Sequence, residues 1–158
     1  MDTLPLPRWP YVPGIDAEAD HATLALAKTL VPARFDGFVP ATHPALRYGL
    51  ALNDAGFFWE CHEILEAVWA AAPQGGPDRI LLRACIQIAN ANLKLKLNRP
   101  GAVVRLIGEA LAELDELGVR QAGDRRGFAG SFPADALARR LRRGTAAAEP
   151  VVFVFPGT

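Results

Sequence analysis

The sequence predicts an all-α, single-domain helical bundle of five or six helices, with an extended N-terminal arm and a C-terminal strand-like tail. Three observations predict it. The chain has 158 residues, the length of one domain around one core. Apolar residues recur at helical spacing between proline and glycine breaks through most of that length. Only residues 151–155 read as a strand, and one strand makes no sheet. The organisation expected is a proline-rich arm over 1–15, a helical domain over 16–143 and an extended tail over 144–158.

Pro5, Pro7, Pro10 and Pro13 exclude helix and regular strand from the arm, and Trp9 and Tyr11 give it something to bury. Residues 16–31 predict a first helix. Asp16, Glu18 and Asp20 crowd its start, where the dipole favours acids, and Pro32 ends it. A loop over 33–43 follows. Pro44 suits the first position of a second helix, capped by Thr42 or His43, with Leu46, Leu50 and Asn53 on one face until Gly56. Residues 57–71 predict a third helix, closed by Pro73, Gly75 and Gly76. A fourth spans 78–97. A fifth spans 101–117, with Ile107, Leu111 and Leu114 inward and Gly118 as C-terminal cap. Arginines at 120, 125, 126, 139, 140, 142 and 143 then outweigh Asp124 and Asp135. A short helix over 133–143 turns Ala134, Leu137, Ala138 and Leu141 inward. The tail must dock on the helices or pair with another copy, which predicts a homodimer.

Composition excludes several classes. Lys+Arg and Asp+Glu are 17 each, and 51% of residues are apolar, so the chain is neither disordered nor strongly charged. No apolar run approaches the roughly 18 residues of a membrane span. The first residues lack a basic start followed by an apolar block, so no signal peptide is expected. Cys61 and Cys85, without a Cys-x-x-Cys motif, point to free thiols in the core of a soluble cytoplasmic protein. Ser131 is the only serine and has no nucleophile elbow, and there is no phosphate loop or dinucleotide fingerprint. Cys61 and His62 diverge by about 100° on a helix and make a poor dyad. Arg139, Arg140, Arg142 and Arg143 have no aromatic residue among them, in a neutral chain. They predict a solvated helix end or a salt-bridged subunit contact rather than nucleic-acid binding.

Chemistry concentrates in the third helix. With Trp59 as origin, Glu63 falls at about 40°, Glu66 at about 340° and His62 at about 300° of the helical wheel. Trp59, His62, Glu63 and Glu66 thus form one polar stripe beside the apolar face, while Glu60, at about 100°, points away. Arg83, Gln87, Asn90 and Lys94 form a matching stripe on the fourth helix, and a short connection favours antiparallel neighbours whose stripes meet. Three readings stay open. The stripe is a structural network in which His62 pairs with Glu66, and Arg83 or Lys94 neutralises a glutamate. It is a small-ligand pocket walled by Trp59 and Trp69, with His62, Glu63 and Glu66 as catalytic candidates for acid–base work and Gln87, Asn90, Arg83 and Lys94 as ligand contacts. Or His62 and Glu66 hold a metal ion, although a zinc-protease motif needs a second histidine where Glu66 stands, and a di-iron bundle needs Glu where Trp59 stands. A non-catalytic protein-interaction module is the alternative of a different class.

The stretch from Leu46 to about Leu114 carries Asn53-x-x-Gly56-x-Phe58-x-Glu60-x-His62-Glu63-x-Leu65-Glu66-x-x-Trp69, then Ile86-Gln87-x-Ala89, then Asn98-x-x-Gly101-Ala102. It resembles the uncharacterised helical family catalogued as domain of unknown function 309. The resemblance implies a small all-helical bundle and singles out His62, Glu63, Glu66, Trp69 and Gln87 as motif positions. It assigns no activity. Leu97 departs from the glycine that commonly precedes the asparagine in that family.

Overall fold

Leu46 and Leu52, Ile64 and Leu65, and Leu81, Leu82 and Ile88 all lose contact with water and build one core from three successive helices. Burying each such side chain stabilises the fold by about 2 kcal/mol. The structure, a computed structural model, describes residues 4–120, 126–144 and 149–153. Its elements are α1 (His21–Lys28), α2 (Pro44–Asp54), α3 (Phe58–Ala71), α4 (Pro77–Lys96), α5 (Pro100–Arg120), α6 (Phe128–Ser131) and α7 (Ala134–Arg143). Helices α2 to α5 pack in chain order, each against the next; α1 leans on α2 and α3, α6 on α4, and α7 on α5. The all-helical class is as predicted. The described residues form seven helical segments rather than five or six.

Two turns fix the order of the central helices, and both are Schellman caps. At the end of α2 the Gly56 N–H bonds to Asn53 O and the Phe57 N–H to Leu52 O, with Gly56 at φ 93°, a conformation that costs glycine nothing. At the end of α4 the Asn98 N–H bonds to Leu95 O and the Arg99 N–H to Lys94 O. Asn98, at φ 57°, takes the left-handed position, so the turn forms without a glycine at Leu97.

Three predicted boundaries move for physical reasons. The first helix is His21–Lys28, not 16–31. Asp16 and Asp20 precede it and accept hydrogen bonds from the arm instead of opening a helix: Val12 N–H reaches Asp16 Oδ2 at 2.8 Å and Arg8 N–H reaches Asp20 Oδ2 at 2.9 Å. At its other end Leu30 and Val31 bond three residues back, and Pro32 keeps Val31 from continuing the helix. Gly118 is not a cap, because α5 runs through it to Arg120; burial of Leu114 and Leu117 carries the helix past the glycine. The four-residue α6 has no periodic signal and follows from Asp78. That buried carboxylate accepts from Val39 N at 2.7 Å and from Ala129 N at 2.7 Å, tying the 33–43 loop and α6 to the first turn of α4. Gly127 passes so close that a Cβ there would collide with the Asp78 carboxylate. The short helix α7 buries Ala134, Leu137, Ala138 and Leu141, as expected.

The tail is not a strand among the described residues, and residues 154 and 155 of the predicted run lie outside them. Residues 151–153 dock on the bundle. Asn92 pairs with Val151 in both directions, accepting its N–H at Oδ1 and donating Nδ2 to its carbonyl, each at 2.9 Å. Asn53 Nδ2 donates to the same carbonyl at 2.9 Å, and Asp54 Oδ1 accepts the Phe153 N–H at 2.7 Å. Side chains thus take the place of the neighbouring strand that pairing with another copy would have supplied.

Candidate functional site

Helix α3 places His62, Glu63 and Glu66 within one turn. His62 Nε2 lies 2.8 Å from Glu66 Oε1, the expected i, i+4 pair. His62 Nδ1 lies 3.8 Å from Glu63 Oε1, buried and without a hydrogen-bond partner. The three side chains offer ligand atoms within 4.8 Å of one another. Lys28, from α1, sets Glu63: its Nζ donates to Oε2 at 3.0 Å. The His62 side chain keeps 20% of its surface exposed, enough for solvent to reach this group.

The two predicted stripes meet along part of their length. A cleft of about 380 Å³ opens between α3 and α4, lined by Glu66, Trp69 and Ala70 on one side and by Arg83, Ile86, Gln87 and Asn90 on the other. The structure brings Glu66, Trp69, Arg83, Gln87 and Asn90 together there. His62 stands behind Glu66, and neither it nor Glu63 lines the cleft. Lys94 does not line it either. Trp59 does not wall it. Its indole turns to the arm and to α1, with the Tyr11 ring edge-on at 4.8 Å and the His21 ring at 6.0 Å.

Arg83 does not neutralise an α3 glutamate. Its Nε lies 3.2 Å from Glu113 Oε1 of α5, and Gln87 Nε2 donates to Glu109 Oε2 at 2.9 Å. The reason is the tight α4–α5 packing, which puts an acidic edge of α5 beside the polar edge of α4. Burial raises the Glu113 carboxyl above its ordinary value, with Arg83 opposing that shift. The floor of the cleft is fixed by a contact that sequence periodicity does not reveal. The Arg79 guanidinium stacks on the Trp69 ring at 3.9 Å while its Nη1 donates to Ala72 O at 3.0 Å.

A second group missed in the sequence is Glu60. The helical wheel turns it away from the stripe; in the structure it is fully buried beneath the arm. Its Oε2 accepts the Tyr11 N–H at 2.7 Å, and Oε1 is buried with no partner. Burial raises its carboxyl above the ordinary value, opposed chiefly by that N–H. The hints in the sequence are its place in the Phe58-x-Glu60-x-His62 motif and the pairing of a proline-rich arm, poor in N–H groups, with aromatic residues that need cover.

Cys61 and Cys85 are fully buried, and burial pushes both thiols well up, which removes them as nucleophiles. In the arginine segment, Arg142 bonds Asp115 of the same chain at 2.6 Å, and the Arg126 guanidinium lies 4.8 Å over the Phe38 ring. Arg142 thus forms a salt bridge within the chain. Asp124 and Arg125 lie outside the described residues.

Residues 46–106 match the family model described as Domain of unknown function (DUF309). The matched stretch holds His62, Glu63, Glu66, Trp69, Gln87 and the cleft they help to shape. It ends before Leu114, the limit the motif suggested. No curated protein and no solved structure matches the chain.

Proposed function

We propose that this chain is a small-molecule-binding bundle whose ligand sits between α3 and α4. One observation carries this reading: an acid, a guanidinium and two carboxamides from two helices converge on a cleft of about 380 Å³ with an indole in its wall. That set suits a small polar ligand bearing both an anionic and a cationic or hydrogen-bonding group. Glu66 is the group placed for acid–base work on it, and His62 positions the Glu66 carboxyl. Glu63, held by Lys28, supports His62 from the other side.

We also propose a divalent cation as the alternative occupant, favoured by the convergence of His62, Glu63 and Glu66 within 4.8 Å and by the unpartnered His62 Nδ1. The cytoplasm is the compartment that suits two free buried thiols. Among the described residues no helix is long and apolar enough to cross a membrane. A homodimer stays within the proposal on a narrower footing, since the tail that suggested it docks on its own bundle; the exposed Leu26 and Leu30 are what a second copy could cover.

One thermal-shift experiment tests both occupants. The parent chain and the variants His62→Ala, Glu66→Gln and Arg83→Ala are heated with amino acids, dicarboxylates, amines, and separately with Zn²⁺ and Mn²⁺. A small molecule that raises the parent midpoint by several degrees, with the gain lost in E66Q and R83A, supports the cleft. A cation effect lost in H62A and E66Q but kept in R83A supports the metal. Protection by none, with H62A and E66Q both destabilised, makes the stripe a structural network.

A further inference from the structure

The tail sits on α2 and α4 through contacts to its main chain. A carboxamide offers one donor and one acceptor at the spacing of a peptide group, so Asn92 treats Val151 as a strand edge would. Asn53 adds a second donor to the Val151 carbonyl, and Asp54 takes the N–H two residues on. Residues 151 and 153 are therefore held through their main-chain groups, by atoms that almost every residue possesses. Side-chain selectivity enters at Phe153, which is 3% exposed and packs into the core, and less strongly at the half-buried Val151. This is main-chain recognition of the kind strand addition uses, with side-chain amides in the place of a receiving strand.

The receptor and its occupant differ in standing. Asn53, Asp54 and Asn92 lie inside the 46–106 stretch that matches the family model, and residues 151–153 lie outside it. Asn53 and Asn92 are 1% and 2% exposed and bonded to each other at 2.8 Å. That mutual bond orients both amides toward the groove, leaving an Nδ2 hydrogen on each and the Asn92 Oδ1 to meet an incoming backbone. The site is thus built from helix residues, ahead of whatever segment fills it.

We infer that the α2–α4 groove is a binding site for an extended peptide of a partner protein, with a β-branched residue at the Val151 position and phenylalanine two residues on, and that the chain's own tail fills it in cis. Tethering gives the tail an effective concentration in the millimolar range, so a partner peptide must outcompete it, and the tail sets the threshold for binding.

The test uses the full chain carrying Val151→Pro, which lacks the N–H that Asn92 accepts. The probe is a fluorescein-labelled peptide of residues 150–155, Pro-Val-Val-Phe-Val-Phe, with two lysines appended for solubility. In fluorescence polarisation the V151P chain is expected to bind it at least about tenfold more tightly than the parent does. Adding Asn92→Leu to V151P should abolish binding, and a Phe153→Ala peptide should bind about tenfold more weakly. A V151P chain that keeps the parental helical circular dichroism and binds no peptide overturns the inference. Should V151P fail to fold, the parent decides: with millimolar unlabelled peptide, the Val151 and Phe153 amide signals in NMR must divide between docked and released tails. Unchanged signals overturn the inference. So does a parent chain that sediments as a dimer and becomes monomeric with N92L, because the groove then belongs to the tail of a second copy.

Discussion

The arm and the tail both lie along the bundle outside any helix, the arm with a turn at residues 13–15, and different chemistry holds each of them. The arm contains four prolines without N–H groups, and the N–H groups of Arg8, Tyr11 and Val12 each end on a carboxylate: Asp20, Glu60 and Asp16. Its Pro5 carbonyl accepts the Tyr48 hydroxyl, whose pKa burial pushes up to about 12, so that it stays a donor at any ordinary pH. The tail is held mainly by the neutral amides of Asn53 and Asn92, with Asp54 the one carboxylate in the clamp. Charge-assisted bonds are the stronger kind, but they depend on protonation state. The arm is consequently coupled to pH through Asp20 and Glu60, in opposite directions, while the amide clamp of the tail does not titrate.

The largest effect expected from breaking this contrast is on the tail side. Asn92→Leu strands the buried Asn53 oxygen and the Val151 N–H, while Asn53 still donates to the Val151 carbonyl, at a cost of about 3 kcal/mol in urea unfolding. Because amides do not titrate, that loss should be the same at pH 5 and pH 8. A loss that varied steeply with pH would show that Asp54, not Asn92, holds the tail.

Asp20→Asn should cost less at pH 7 and should change the acid limb. The Arg8 N–H, then the Thr23 hydroxyl and the Arg8 guanidinium, hold the Asp20 carboxyl well below its ordinary value of 3.8. A depressed folded-state value gives stability that is fully present above the unfolded value and lost as pH falls toward the folded one. Parent stability should therefore drop below about pH 4 more steeply than that of D20N, as read from denaturation midpoints between pH 2 and 7.

Glu60→Gln is the smallest change and has the opposite sign. The folded chain favours the protonated Glu60, so above the ordinary value of 4.5 the parent loses stability as pH rises through the window up to the folded value. The carboxamide of E60Q still accepts the Tyr11 N–H and carries no charge. E60Q should match the parent at pH 4 and unfold at a higher temperature at pH 8. A variant that is less stable at both pH values would mean that Glu60 is charged and paired in the folded chain.

What periodicity encodes was legible in the sequence. The third and fourth helices, the inward face of α7 and the His62–Glu66 pair all follow from spacing within one element. The cleft was legible in half, since Glu66, Trp69, Arg83, Gln87 and Asn90 converge, whereas Trp59 turns to the arm and Arg83 to Glu113. The misses share one cause. Glu60 bonds across 49 residues, Asn92 across 59 and Asp54 across 99, and no local pattern announces a partner so distant. A helical wheel sees only the helix that carries a residue, so it sets Glu60 apart from the stripe and says nothing of the arm laid over it. The same blindness hid α6, which exists because Asp78 receives it.

The Asp78 carboxylate also imposes an order in time. Its two donors lie 39 residues before it and 51 residues after it. Neighbouring helices such as α3 and α4 need only short loops to meet, whereas contacts of that separation close long ones and form late. During synthesis the chain delivers Val39 and Asp78 well before Ala129. The start of α4 therefore waits with half of its carboxylate unanswered until residues 127–129 emerge.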